Sequence, residues 1–241
     1  MPVVTSTITD GIAFIKLDDG KKNAVSPTLI RELHQALDEA EASNATVVIT
    51  GQPGILSAGF DLNIMRKGNL ESLDLVNEGF ALTERLLSYP MPVIMTCAGH
   101  AVAMGAFLLL AADYRIGIKG DFKIALNEVR IGMTVPYAGL TLCKHRLTAK
   151  GTTRTAILGQ TLSPDKAAAL GFFDELVTAE TLEETTRSVA QDLATVDPEA
   201  HRNTKLRVRR ELLIAMKVAR QLDRADFVGK GLVREARKRI G

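Results

Sequence analysis

The 241-residue chain predicts an α/β fold with a helical C-terminal region, and three observations carry that prediction. Short apolar runs rich in Val and Ile alternate with stretches of helical period as far as Val177. Cap residues followed by proline mark helix starts at Ser26-Pro27 and Ser163-Pro164. Beyond Thr181 the pattern is helical throughout, and the composition shifts near residue 195, which divides the chain into a core over residues 1–194 and a helical region over 195–241.

The elements follow in order. Val3 to Ile8 and Ile12 to Leu17 alternate around Asp10-Gly11, the pattern of a hairpin, and Asp18-Asp19-Gly20 closes the second run. After Ser26-Pro27, the apolar residues Leu29, Ile30, Leu33, Leu37 and Ala40 recur at helical spacing. Thr46 to Thr50 reads as a short buried strand ended by Gly51. A helix over about residues 70–87 stops ahead of Pro90 and Pro92, and Val93 to Cys97 forms the next strand. Gly105 to Ala112 predicts a short buried helix, Tyr114 to Ile118 a strand and Pro136 to Arg146 a helix. The Ser163-Pro164-Asp165 helix ends at Gly171, Phe173 to Val177 supplies a late strand, and the C-terminal helices break at Asp197-Pro198. No internal repeat is evident.

Composition excludes several classes of function. Lys and Arg number 30 against 28 Asp and Glu, a net charge of +2, so no global field favours nucleic acid or an anionic membrane. The basic residues between Arg202 and Lys238 are expected mainly on a solvated helix face, with phosphate contact as the alternative. Cys97 and Cys143 lie in apolar segments without metal-ligand spacing and are expected as buried free thiols. The longest apolar stretch, Ala101 to Ala112, is too short to cross a bilayer, and neither end carries a recognisable address. A soluble cytoplasmic protein is the expectation.

Two turns draw attention. Gly51-Gln52-Pro53-Gly54-Ile55-Leu56-Ser57-Ala58-Gly59-Phe60-Asp61-Leu62 follows one buried strand, and Gly99-His100-Ala101-Val102-Ala103-Met104-Gly105 follows another. Each reads as a tight turn, with Asp61 as a cap in the first, or as a place where small residues bring backbone amides close to an anion. Should the two turns meet, their amides form a pair of donors for one oxygen. His34, beside Glu32, is expected on the surface, whereas His100 is a candidate to line a pocket. No Ser or Cys has the spacing of a nucleophilic triad with either, and no cluster suggests a metal.

These motifs, with Asn23-Ala24-Val25-Ser26, Asp113-Tyr114-Arg115-Ile116 and Leu126-Asn127-Glu128-Val129-Arg130-Ile131-Gly132, resemble the crotonase (enoyl-CoA hydratase/isomerase) superfamily over residues 10 to 180. The resemblance implies a spiral of ββα units and assembly as a trimer or a pair of trimers. It places a thioester carbonyl between the backbone N–H groups of Phe60 and Met104. Ala24, Ser57, Gly59, Asp61, Gly105 and Asn127 become pocket walls, and Lys21, Lys22, Arg66 and Lys67 become candidates for the CoA phosphates. Glu128 matches the family's catalytic base, while Phe107 falls where hydratases carry a second glutamate. Phe60 and Met104 stand where small residues are usual, which implies a narrowed acyl pocket. The motifs are closest to the Δ3,Δ2-enoyl-CoA isomerase branch, with no metal or redox cofactor and CoA as part of the substrate. Hydration, or acyl-CoA binding without catalysis, is the alternative.

Overall fold

The computed structural model describes residues 2–240, with residues beyond 228 described as helical backbone alone. The hairpin forms as the alternation requires: β1 (Val4–Thr9) pairs antiparallel with β2 (Ile12–Leu17) across Asp10-Gly11, both at positive φ. Helix α1 (Pro27–Ala42) begins where Ser26 accepts a hydrogen bond from the Leu29 amide.

A repeating course then builds the body of the protein. The first pass runs β3 (Thr46–Thr50), β4 (Gly54–Ser57), α2 (Leu62–Met65) and α3 (Leu70–Ser88). The second runs β5 (Val93–Cys97), β6 (Gly99–Val102) and α4 (Met104–Ala111). The third runs β7 (Tyr114–Ile118), β8 (Ile124–Ala125), a 3₁₀ turn (Glu128–Ile131) and α5 (Tyr137–Arg146). Each pass lays its first strand in a large sheet and its second in a small one before a helix returns the chain. The large sheet has the order β1-β2-β3-β5-β7-β9, parallel after the hairpin, and the small one is β4-β6-β8, parallel throughout. This is the ββα spiral.

After α5 come α6 (Ala149–Thr152), a π-helical turn (Thr153–Ile157), α7 (Pro164–Ala168) and β9 (Glu175–Val177). Helix α8 (Leu182–Leu193) covers one face of the large sheet through Ala190, against Ile12, Val48, Ile94 and Ile116. The opposite face packs on α1, α3 and α4 in the main core. Burial on both faces is why these parallel strands read as continuous apolar runs. Helix α4 is apolar on every side because every residue from Met104 to Ala111 is buried.

Two helices, α9 (Pro198–Val208) and α10 (Arg210–Ile240), close the chain, the first capped by Asp197 at the expected Asp197-Pro198 break. Among the described residues most of their basic side chains, Arg202, Arg207, Arg210, Lys217 and Arg224, are exposed, in keeping with the mainly solvated face expected, while three turn inward. Lys205 reaches Asp113 at 2.6 Å, Arg209 reaches the same carboxylate at 2.8 Å, and Arg220 reaches Glu84 at 2.9 Å. Asp223 on α10 accepts from the Tyr137 and Ala138 amides, filling the donor positions that the start of α5 leaves open. Among the described residues no helix is long and apolar enough to cross a membrane.

Candidate active site

The two small-residue turns meet. A Cβ on Gly59 would lie 2.9 Å from the Ala103 Cβ and 3.3 Å from the Met104 amide nitrogen, and one on Gly105 would lie 2.5 Å from the Ser57 carbonyl oxygen. Only glycine permits this approach, because any side chain at either position would push the turns apart.

Both turns use left-handed backbone immediately ahead of the amide of interest: Gly59, before Phe60, has φ +95°, and Ala103, before Met104, has φ +50°. For alanine that conformation costs of order 1–3 kcal/mol, and contact with the other turn holds it in place. On the first turn, Val25 N donates to Gly59 O at 2.8 Å and Asp61 N donates to Val25 O at 3.1 Å. Alternation along extended backbone therefore directs the intervening Phe60 N–H away from Val25. Met104 N–H opens α4, where helical geometry supplies no acceptor. Among the described residues neither amide donates a hydrogen bond within the chain.

The other wall residues hold this arrangement. Ser57 is fully buried, its hydroxyl donating to Asn23 O at 2.6 Å and accepting from Gly59 N at 3.1 Å. Asn23, buried at φ +50°, ties two segments by donating from Nδ2 to Leu17 O and Leu56 O. Ala24 N donates to Asp19, whose carboxylate also accepts from the Lys21 and Asn23 amides. Asp61 caps α2 by accepting from Asn63 N. Lys21, Lys22 and Arg66 are exposed, and Ala58 N donates to Lys22 O, so the lysine turn lies alongside the first bend. Lys67 is engaged by Glu71 at 2.7 Å.

Glu128 sits at the start of the 3₁₀ turn that follows β8, three residues beyond Ala125, whose carbonyl accepts from Ala103 N at 2.8 Å. The small sheet thus carries the acid alongside the second bend. Glu128 is only 8% exposed, and its Oε2 is buried with no hydrogen-bond partner among the described residues. Burial raises its pKa above the ordinary carboxylate value of 4.5. Its charge adds to the burial that pushes the Cys143 thiol on α5 up to about 12, so the carboxylate turns toward the protein interior. The Asn127 Oδ1 is likewise buried and unpartnered. A buried polar atom without a partner is costly, and among the six such side-chain atoms of the described residues Glu128 Oε2 is the one that belongs to a carboxylate.

Phe107 is a core side chain. Its ring packs on Phe80 with centroids 5.4 Å apart, and a Cβ on Gly139 of α5 would meet it at 2.7 Å. The Phe60 ring finds a matching niche, since a Cβ on Gly79 of α3 would lie 2.5 Å from it and 3.4 Å from the Met104 Cε. The two side chains that depart from the usual small residues therefore converge on one helix. Gly79 and Gly139 escape the sequence reading, although a glycine inside a helical pattern is a readable signal of close packing.

The two histidines singled out from sequence are accounted for. His34 is half-buried rather than exposed, its Nδ1 2.9 Å from Arg85, and burial lowers its pKa. His100 accepts from the Lys123 amide at Nδ1, which leaves it an ordinary partner in the small sheet. Cys97 and Cys143 are buried free thiols. Among the described residues no group of three His, Cys, Asp or Glu side chains could hold a metal.

The two bends touch, their Phe60 and Met104 amides are free, and a buried carboxylate follows the strand that meets the second bend. The family model of enoyl-CoA hydratase/isomerase matches residues 7–237, and the chain belongs to that family. A solved enoyl-CoA hydratase/isomerase family protein from Pseudomonas syringae is 45% identical, with a TM-score of 0.91 over 92% of this chain and 97% of that one. An enoyl-CoA hydratase from Mycobacterium marinum is 39% identical, with a TM-score of 0.89 over 93% of this chain and 99% of its own. A Mycobacterium tuberculosis structure described as an enoyl-CoA isomerase is 40% identical, with a TM-score of 0.89 over 93% and 98%. Overall likeness does not select between the two reactions.

Proposed function

We propose that the protein is an enoyl-CoA isomerase that moves a 3-enoyl double bond to the 2-position. The observation that carries this reading is the single buried, unpartnered carboxylate of Glu128, combined with a phenyl ring at position 107 where a hydratase would need its second acid. Hydration must both activate water and protonate carbon, and a phenyl ring contributes to neither.

In the proposed reaction, Glu128 removes a proton from C2 of the thioester and the electron pair enters the C1–C2 bond. The resulting dienolate places its negative charge on the thioester oxygen, which accepts from the Phe60 and Met104 amides. Each such donor contributes about 3 kcal/mol in favourable cases. The protonated Glu128 then delivers the proton to C4, the double bond settles between C2 and C3, and the carboxylate is regenerated. A positioned base contributes about 10²- to 10⁴-fold, and the upward shift of Glu128 strengthens it for this purpose.

The reaction draws on no metal or redox group, and CoA enters as part of the substrate. Ala24, Ser57, Gly59, Asp61, Gly105 and Asn127 form or support the pocket in this reading, with Lys21, Lys22 and Arg66 available to the CoA phosphates. A cytoplasmic homotrimer or pair of trimers completes the proposal.

Incubation with a 3-enoyl-CoA and, separately, a 2-enoyl-CoA tests it by mass. The first is expected to yield a conjugated product of unchanged mass and the second almost no hydrate. Glu128→Gln is expected to abolish turnover while retaining binding. Robust addition of water would instead assign the protein to the hydratases, and a ligand recovered unchanged would make it a binding protein.

A further inference from the structure

On the far side of the Glu128 turn, three cations gather around one cavity without a counter-ion. The cavity, about 380 Å³, is lined by Arg130, Arg154 and Lys166 together with Gly159, Gln160 and Thr161, and no carboxylate lines it. Among the described residues none of these three cations makes an ion pair. With a net charge of only +2 over the whole chain, such a gathering is local and not the by-product of a basic protein. Three like charges around one hollow repel one another, and an anion relieves that repulsion.

The hollow is shaped by backbone as well as charge. Gly159 sits at φ +57°, where a Cβ would meet the Val129 Cγ2 at 2.7 Å and the Arg130 Cγ at 2.8 Å. Its bare Cα lets the Arg130 stem lie on the turn, and Arg130 Nε donates to Gly159 O at 3.2 Å. One edge of that guanidinium is thereby fixed while its two Nη groups remain available. On the facing segment, the π-helical turn winds around Arg154, whose carbonyl accepts from Gln160 N at 2.9 Å. Single π-turns of this kind recur at functional sites.

We propose that Arg130, Arg154 and Lys166 form an anion site for the diphosphate group of a small metabolite, separate from the pocket of Glu128. Guanidinium groups match phosphate oxygens through paired hydrogen bonds, and a diphosphate offers enough charge for three cations. The cavity has room for more than a bare phosphate. Glu128 and Arg130 lie two residues apart on a 3₁₀ helix, which has three residues per turn, and so point to different sides. Occupancy at Arg130 therefore bears on the segment that carries the acid.

The test is titration calorimetry of the full chain with pyrophosphate, followed by ADP and CoA as arms that separate a free nucleotide from the diphosphate of CoA. Pyrophosphate is expected to bind, with affinity falling at least tenfold in Arg154→Gln/Lys166→Gln and in Gly159→Ala, and falling with added salt. The Arg130 and Met133 amides, bonded to Asn127 O and Glu128 O, are expected to exchange more slowly with pyrophosphate present. Absence of pyrophosphate binding, or equal affinity in the folded double variant, would overturn the assignment. So would a smaller assembly for the double variant in sedimentation, which would give these cations to a subunit contact.

Discussion

Asp113 and Glu128 are both carboxylates held in the body of the protein, and they are treated in opposite ways. Asp113 is enclosed by donors: its Oδ2 accepts from Val93 N at 2.8 Å and Lys205 Nζ at 2.6 Å, and its Oδ1 faces Arg209 at 2.8 Å. Glu128 has an Oε2 that meets no donor among the described residues. The first is a joint between the sheet and the C-terminal helices, while the second is the base of the proposed reaction. Burial is common to both and distinguishes nothing; the number of donors around the carboxylate separates structure from proposed chemistry.

The largest break in that comparison comes from Glu128→Gln. Turnover of a 3-enoyl-CoA is expected to fall about 10²- to 10⁴-fold, the range for losing a positioned base. Stability should move the other way. A carboxylate whose folded pKa is raised binds its proton more tightly in the folded state, so folding is disfavoured as pH rises through 4.5 toward the folded value. The amide lacks that penalty, and the melting temperature of the variant is expected to exceed that of the parent at neutral pH and to match it under acid conditions. In the parent, kcat/KM is expected to rise with pH along an acid limb lying above 4.5, reporting ionisation of Glu128. A limb at the ordinary carboxylate position would mean that the acid is solvated.

Asp113→Ala sharpens the other half. It leaves Lys205, whose side chain is 4% exposed, and Arg209, at 11%, without their counter-charge. Loss of one partner from a buried ion pair costs about 3–5 kcal/mol, measurable by urea unfolding. Lys205 already has its pKa lowered to about 8, by burial first, against the pull of Asp113. Above that pH the lysine can shed its charge, so the penalty in Asp113→Ala is expected to shrink between pH 7 and pH 9. A similar loss at both values would shift the weight of the joint to Arg209.

How much of this was legible in the sequence follows from the kind of contact involved. The hairpin, α1 and the strands of the large sheet announce themselves because cap chemistry and apolar runs are local. Strands β4, β6 and β8 do not, since they have only two to four residues, β4 and β6 inside segments that read as turns and β8 in a stretch without periodic signal. The late strand is shorter than expected, Glu175–Val177, because Asp174 is taken up by Arg115 at 2.8 Å. The 3₁₀ turn at Glu128 and the π-helical turn at Thr153–Ile157 carry no periodic signal. Glu128 and the two small-residue bends are visible only as a motif; the inward turn of the acid and the contact between the bends depend on the small sheet. Inward pairing of Lys205, Arg209 and Arg220 depends on Asp113 and Glu84, more than ninety residues away in the chain, and no local pattern encodes it.

The smallest effect, and the most discriminating for the shape of the pocket, is expected from Gly79→Ala. In an open helix this change would gain about 1 kcal/mol from helix propensity alone. Here the new Cβ would stand 2.5 Å from the Phe60 ring, and overpacking costs roughly 1–3 kcal/mol when nothing can move. The Phe60 ring is only partly buried, so it can swing out of its niche, and the net change in stability is expected to stay within about 1 kcal/mol of zero. The displaced ring then enters the space beside the Phe60 and Met104 amides. KM for a long-chain 3-enoyl-CoA is expected to rise several-fold, with a short-chain substrate little affected, because the amides themselves stay in place. Equal losses for both chain lengths would mean that the backbone of the first bend had moved, and the glycine would then serve the oxyanion donors rather than the acyl wall.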